Sequence, residues 1–273
     1  MNAPIKKERV DILLVERGLT ESREQAKRSI MAGLVYSDSA RIEKAGEKIA
    51  VDAPLTVKGP AIQYVSRGGL KLEKALEVFP ISVEQKIVLD IGASTGGFTD
   101  CALQNGAKHC YALDVGYNQL AWKIRQHEQV TVMERTNFRH ATVELFTEGM
   151  PEVATIDVSF ISLSLILPAL KKIIVSGGQV VALVKPQFEA GKDKVGKKGI
   201  VREVSTHREV LEKIANMAVA EGFSVKGATY SPVTGGEGNI EFLFYLESSD
   251  EPVSDFASED FQQLVKQAHN ELT

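Results

Sequence analysis

Residues 88–99 read Val88-Leu89-Asp90-Ile91-Gly92-Ala93-Ser94-Thr95-Gly96-Gly97-Phe98-Thr99. An apolar strand ends in an acid, and a turn of small residues then runs into a helix. Glycines let a ligand approach the backbone, and free N–H groups at the helix start can hold it. A dinucleotide would want G-x-G-x-x-G, but the third position of this loop is Ser94, and Asp90 precedes Gly92 by two. A carboxylate there repels a pyrophosphate and suits an ammonium group. This favours the methionine portion of S-adenosylmethionine over a nicotinamide cofactor. Asp114, 24 residues after Asp90, ends the next strand, where a carboxylate can take both ribose hydroxyls. Asn137, just past the third strand, is placed to touch the adenine. The expected cofactor set is Asp90, Gly92, Ala93, Ser94, Gly96, Gly97, Phe98, Asp114, Asn137 and Asp157.

Four ionisable residues, Asp157 among them, stand where such a fold points its chemistry. Lys71 lies in Ser66-Arg67-Gly68-Gly69-Leu70-Lys71-Leu72, on a helix ahead of the first strand. Asp157 ends a strand in Ile156-Asp157-Val158-Ser159-Phe160, and Lys185 ends another in Leu183-Val184-Lys185-Pro186-Gln187-Phe188-Glu189. Glu241 sits in Asn239-Ile240-Glu241-Phe242-Leu243. Taken singly, a lysine at a strand end is commonly a solvated edge residue. Glu241 is harder to dismiss, because a carboxylate inside an apolar strand is costly without a partner. Glu237 is its nearest competitor, and strand alternation favours Glu241.

The elements that must position these residues alternate along the chain. Strands are expected at 87–91, 110–114, 130–133, 153–157, 179–184, 224–230 and 240–247, with helical segments near 97–105, 118–127, 162–173 and 204–221. That pattern is an α/β, doubly wound sheet with an extra strand at its end. Ahead of it, residues 9–58 read as a small separate unit. A first helical face begins at Val10, Ile12, Leu13 and Leu14, and Gly18 stops it. Ser22 is the expected N-cap of a second helix carrying Arg23, Lys27 and Arg28. Short strands follow at Val35-Tyr36 and 48–51. The expected organisation is a front domain over 8–58, a linker over 59–68, the sheet domain over 69–247 and an acidic tail over 248–273, either a short helix or disordered.

Composition constrains the function classes. The net charge is −4, but from Glu247 onward seven acids face one base, Lys266, leaving +2 for the rest of the chain. The body can therefore present a basic face to nucleic acid. The loop 189–202 carries five bases, Lys192, Lys194, Lys197, Lys198 and Arg202, against two acids. A cationic flap over an RNA backbone and a merely solvated loop are both open readings of it. Two cysteines, Cys101 and Cys110, cannot build a disulfide framework, so an intracellular, cytoplasmic setting is expected. Histidines and cysteines show no metal-site spacing, so no metal is expected. No secretory signal is expected at residues 1–10, and the longest uncharged stretch, 158–170, falls short of the roughly 20 residues a membrane span needs.

Two resemblances sharpen this reading. Arg9-Val10-Asp11, Gly18, Ser22-Arg23, Ala26, Ile30, Gly33, Val35 and the Lys44/Gly46/Ile49 turn resemble the α-L RNA-binding domain of the ribosomal-protein-S-four type. The order Lys71, Asp157, Lys185, Glu241 resembles the FtsJ-type RNA 2′-O-methyltransferases, whose fold is a Rossmann-like class I methyltransferase sheet. Together with Tyr64–Gly69 and the two long motifs above, the chain resembles the TlyA family over about residues 8–247. The resemblance implies methyl transfer from S-adenosylmethionine to a cytidine ribose 2′-hydroxyl in ribosomal RNA, 23S, 16S or both. A ribose hydroxyl is a weak acid and poor nucleophile, so a base must take its proton. The expected base is Lys185, with Lys71 as a neighbouring cation and Asp157 and Glu241 orienting both amines. The expected RNA contacts are Arg9, Arg23, Lys27, Arg28, Arg67, Lys192, Lys194, Lys197 and Lys198, and the expected partner is ribosomal RNA or a ribosomal subunit.

Four rival readings are weaker. Adenine N6 methylation wants a proline-rich polar turn where this chain has Asp157-Val158-Ser159-Phe160, and cytosine C5 methylation wants a nucleophilic cysteine away from the positions of Cys101 and Cys110. A pore-forming haemolysin, a label this family has carried, lacks the expected apolar spans. A ribosome-binding assembly factor without catalysis would not need the four ionisable residues.

Overall fold

A computed structural model of the chain describes residues 6–20, 22–31, 33–38, 40–58 and 63–272. In the front unit the elements are β1 (Lys7–Arg9), α1 (Val10–Glu16), α2 (Arg23–Met31), β2 (Val35–Ser37), β3 (Ala40–Arg41), β4 (Lys48–Ala50) and β5 (Thr56–Val57). Helical spacing puts Val10, Leu13 and Leu14 on one face of α1, where they pack with Ala26 and Ile30 of α2 and with Val35, Ile42 and Leu55. The first helix ends as its sequence suggests: the Gly18 N–H donates to Val15 O and the Leu19 N–H to Leu14 O. Ser22 accepts from the Gln25 N–H, as expected of an N-cap.

Three strands of this unit were too short to read from sequence. β1 pairs antiparallel with β4, and β2 pairs with both β3 and β5. The pairing of β5 with β2 draws Thr56 and Val57 into the unit, and Leu55 lies in its core. Of the expected linker, residues 59–62 lie outside the described residues, and Gly68 already opens a helix. The chain divides into compact units at Met1–Arg67 and Gly68–Thr273.

The second unit runs α3 (Gly68–Val78), β6 (Ile87–Ile91), α4 (Gly97–Gln104), β7 (His109–Leu113), α5 (Trp122–Arg125), β8 (Val130–Met133), β9 (Val153–Ile156), α6 (Leu167–Lys171), β10 (Gln179–Val184), α7 (Pro186–Glu189), α8 (Val204–Ala220), β11 (Phe223–Tyr230), β12 (Phe242–Ser248) and α9 (Ser258–Leu272). Among the described residues one sheet has the order β11-β12-β10-β9-β6-β7-β8. Its strands from β8 to β10 are parallel, and β12 lies antiparallel between β10 and β11. Parallel strands covered on both faces read as near-continuous apolar runs, which is how residues 180–184 read and, Asp90 apart, Ile87–Ile91. Leu89 and Ile91 join a core built with Leu167 and Leu170 of α6, Val210 and Ile214 of α8, and Phe261 and Val265 of α9. Asp90 alternates with them and points to the opposite face, where its carboxylate meets Thr99 of α4.

The chain reverses direction across the sheet between β6 and β9, so the carboxyl ends of these two strands open the crevice where a doubly wound sheet takes its ligand. Two helical expectations shrink: 118–127 becomes the single turn of α5, and 162–173 divides into a 3₁₀ turn (Leu163–Leu165) and α6, with Pro168 in the first turn of the latter. The acidic tail is a helix, not a disordered segment. Phe261, Val265 and Ala268 of α9 are buried against the sheet domain, spaced i, i+4, i+7.

Candidate active site

Each of the four ionisable residues reaches the crevice from a different element. Lys71 lies one turn into α3, Asp157 follows β9, Lys185 follows β10 and Glu241 immediately precedes β12. Their side chains meet. Lys71 Nζ is 2.8 Å from Glu241 Oε2 and 3.5 Å from Asp157 Oδ2, while Lys185 Nζ is 2.5 Å from Asp157 Oδ1. Lys185 also donates to Ser159 Oγ at 3.1 Å, and Gln187 Nε2 donates to Glu241 Oε1 at 3.1 Å. Lys71, Lys185 and Glu241 are buried, whereas the Asp157 side chain keeps 21% of its surface exposed, so solvent reaches the middle of the cluster.

Two cations and two anions balance here, which is what makes burial of four charges tolerable. Burial pushes the Asp157 carboxyl upward, and the Lys71 and Lys185 ammonium groups outweigh it, leaving the group below the ordinary aspartate range. Asp157 is shared by both amines, so it fixes the distance between them. Glu241 is roofed by Gly235: a Cβ added there would lie 2.2 Å from Glu241 Oε1, so only glycine lets that loop close over the carboxylate. Glu237 is exposed and takes no part in the cluster.

The five residues from Lys185 to Glu189 act as a bracket that sequence reasoning missed. Lys185 reaches Asp157 and Ser159, and Gln187 reaches Glu241. The Phe188 ring packs 4.9 Å from that of Phe160. The buried Glu189 carboxylate accepts from Ser162 Oγ at 2.7 Å and from the Leu163 N–H at 2.8 Å. The loop after β9 is thus held at both ends. Between the anchors, Phe160 adopts a left-handed backbone (φ 62°) and leaves its ring 90% exposed beside the lysine. A sequence signal was present, since an aromatic follows both Asp157 and Lys185 by three positions.

The glycine loop runs from β6 into α4, and its side chains take the following places. Gly92 sits at φ 88°, and a Cβ there would come within 2.4 Å of Asp157 O, so the loop presses on the end of β9. Asp90 does not open toward a ligand: it is buried, accepts from the Thr99 N–H, Thr99 Oγ1 and Thr155 Oγ1, and ties the strand end to the start of α4. Burial chiefly lifts its pKa, to about 7, against the opposing hydrogen bonds and with help from the Asp157 charge. Asp114 accepts from the Ser94 and Gly116 N–H groups and stays half-exposed, fixing the loop's shape while keeping lone pairs free. Ser94 is exposed at φ 48°, Ala93, Gly96 and Gly97 are buried, and the Phe98 ring lies in the interior. Asn137 is exposed and caps a 3₁₀ turn by accepting from the Arg139 N–H. Val115, next to Asp114 and 71% exposed, is an apolar surface the sequence reading overlooked. The donor set has a carboxylate for a diol, exposed loop backbone and no cation for a pyrophosphate. It fits a nucleoside joined to an amino acid.

The expected RNA-contact residues fall in both units. Arg9 and Arg23 share the buried Asp11, at 2.9–3.0 Å, with both guanidinium groups still partly exposed. Those hydrogen bonds hold Asp11 down at about 2. Lys27 pairs with Glu24, while Arg28 and Arg67 are half-buried. Lys192, Lys194, Lys197 and Lys198 are exposed, and Lys194 pairs with Glu209. Among the described residues no cluster of three or more His, Cys, Asp or Glu could hold a metal, and no helix is long and apolar enough to cross a membrane.

A reversing parallel sheet with a glycine loop at its switch point, and a lysine–carboxylate cluster beside that loop, defines a Rossmann-like methyltransferase domain behind a small RNA-binding unit. Residues 64–248 match the FtsJ-like methyltransferase family and residues 8–53 match the S4 domain. The chain belongs to the FtsJ-like methyltransferase family, in the TlyA branch that adds the S4 domain. It is 62% identical to YqxC of Bacillus subtilis, provisionally named an rRNA methyltransferase, over 98% of this chain and 96% of that protein. It is 42% identical to the 16S/23S rRNA (cytidine-2′-O)-methyltransferase TlyA of Mycobacterium tuberculosis, over 89% of this chain and 91% of that one. A solved structure from Streptococcus thermophilus, provisionally called a haemolysin, superposes with a TM-score of 0.79 at 60% identity, covering 98% of this chain and 97% of that one.

Proposed function

We propose that the protein is an S-adenosylmethionine-dependent ribosomal RNA methyltransferase acting on a cytidine ribose 2′-hydroxyl. The observation that carries this reading is the convergence of Lys71, Asp157, Lys185 and Glu241 on one partly open cluster beside Gly92. When bound, S-adenosylmethionine supplies a methyl group on a sulfonium, an electrophile that needs only a deprotonated oxygen in line with it. Asp114 and the backbone of residues 92–97 hold that cofactor, and Asp90 keeps the loop and α4 in register with β6.

The chain's own task is to make a sugar hydroxyl nucleophilic. Lys185, as the neutral amine, takes the 2′-hydroxyl proton on Nζ and becomes the ammonium that Asp157 and Ser159 hold. Lys71, anchored by Glu241, stabilises the negative charge growing on the oxygen. Positioning supplies much of the remaining acceleration. The exposed Phe160, backed by the half-buried Phe188, forms an aromatic surface next to the base on which the target nucleobase stacks once it leaves its helix. The S4 unit and the basic loop after Glu189 grip the surrounding RNA through phosphates.

The test is to map ribose methylation on 16S and 23S ribosomal RNA from cells with and without the gene. The expected result is a 2′-O-methylcytidine that disappears on deletion and returns with the wild-type chain but not with Lys185→Ala. Identical maps would refute the assignment.

A further inference from the structure

The segment between Glu189 and α8 folds back on itself and leaves a cavity of about 560 Å³ at the start of that helix. α8 is 17 residues long, and its N-cap, Glu203, makes no capping bond through its side chain. The first N–H to find an intrahelical acceptor is that of His207, which donates to Glu203 O. The N–H groups of Val204, Ser205 and Thr206 are left over, as at any uncapped helix start. No acidic residue stands in the first turn.

A second feature points to a ligand. Thr206 is 7% exposed and lines the cavity, yet its hydroxyl has no hydrogen-bond partner among the described residues. The hydroxyl of this largely buried side chain is open to the cavity, where a ligand oxygen can pair with it. Lys197, Lys198 and Arg202 also line the cavity, with Asp193 and Glu203 as the opposing charges. Lys194 belongs to the same wall but is paired with Glu209.

The wall is anchored to the catalytic strand. Asn239, buried two residues before Glu241, accepts from the Val201 N–H at 3.0 Å and donates to Gly199 O at 2.9 Å. A group seated in the cavity is therefore held by a loop whose far end is fixed close to the cluster, instead of by a freely solvated flap.

We propose that this cavity is a phosphate-binding site for a backbone phosphate of the RNA substrate, formed by the N-terminus of α8, the Thr206 hydroxyl, Lys197, Lys198 and Arg202. Its use for RNA rests on the function proposed above. Helix N-termini favour anions through oriented N–H groups and the helix dipole, and flanking lysine and arginine side chains add charge-assisted bonds.

The test uses the full chain, wild type and Thr206→Asp. The aspartate places its own carboxylate at the helix start, where an acid is favourable, so the helix is retained while the site is filled. Thr206→Val removes the hydroxyl alone. In ¹⁵N-resolved NMR, titration with inorganic phosphate should move the Val204, Ser205 and Thr206 amide signals in the wild type and not in Thr206→Asp. With a fluorescein-labelled single-stranded RNA of mixed sequence, Thr206→Asp should bind about fivefold more weakly, and its plot of log affinity against log salt should flatten by about 0.7, one phosphate contact on a single strand. Affinity for S-adenosylmethionine should be unchanged. Phosphate that leaves these three amides unmoved overturns the site, whatever the RNA does. Phosphate-shifted amides with equal RNA affinity and salt slope in both proteins overturn its use for RNA. Absence of RNA binding by the wild type would instead count against the proposed function, with the phosphate titration still reporting on the site.

Discussion

Replacing Lys185 by arginine separates a base from a mere cation. The guanidinium keeps the positive charge that faces Asp157 at 2.5 Å and can still donate to Ser159, so the balance of two cations and two anions survives. It cannot be deprotonated at any working pH, so it cannot accept a proton. Overpacking of a site only 8% exposed costs about 1–3 kcal/mol of stability. Loss of a general base lowers the chemical step about 10²- to 10⁴-fold, which is about 3–5 kcal/mol on the barrier. The contrasting variant, Lys185→Met, strips Asp157 of its nearer ammonium and leaves Lys71 at 3.5 Å. Breaking a buried pair costs about 3–5 kcal/mol, and the 21% exposure of the Asp157 side chain puts this case at the low end. The assay is single-turnover transfer of tritiated methyl from S-adenosylmethionine to ribosomal RNA with enzyme in excess, which isolates chemistry from product release. Calorimetry on the same samples measures cofactor affinity, expected to change little in either variant. An arginine variant that retains more than a tenth of the wild-type rate would refute the reasoning, because a fixed positive charge would then suffice.

Three further outcomes follow from particular contacts. Glu189→Gln keeps one acceptor where Ser162 and Leu163 both donate, so it should lose about 1–3 kcal/mol of stability and slow turnover about tenfold with cofactor affinity intact; unfolding curves and single-turnover rates check both. Asp90 has its folded pKa raised to about 7 from an unfolded value of about 4, so the folded state binds the extra proton and stability falls as pH rises through that window, by up to about 4 kcal/mol. Asp90→Asn should flatten that decline in urea unfolding measured at pH 5 and pH 8. The double variant Arg9→Gln, Arg23→Gln should lower the salt slope of RNA binding by about 1.4–1.8, two phosphate contacts, while cofactor binding stays constant.

The sheet was legible because buried parallel strands are short apolar runs bounded by turns, and β6, β8 and β10 lie where the sequence puts them. β1, β3 and β5 of the front unit were not, since segments of two or three residues show no period, whereas β2 and β4 were marked by the turns around them. The tail helix was left open against disorder in the sequence, and its buried face proves to be Phe261, Val265 and Ala268, with Leu264 half-buried. In the site, Asp157 and Lys185 were marked by their strand-end positions, and Glu241 by its place in an apolar run. Their supports Ser159, Gln187 and Glu189 act across loops between distant parts of the chain, which periodicity does not encode. The direction of Asp90 was lost for a related reason. Every residue of β6 is buried, so alternation of burial cannot tell which face a carboxylate takes.

The account stands most directly on where the methyl group goes. Ribosomal RNA incubated with the protein and S-adenosylmethionine bearing a trideuterated methyl, then digested to nucleosides, reports this by mass spectrometry. The account predicts trideuteromethyl on the ribose of cytidine, in the wild type and not in Lys185→Arg. Label on a base, or equal ribose label from both proteins, would contradict it.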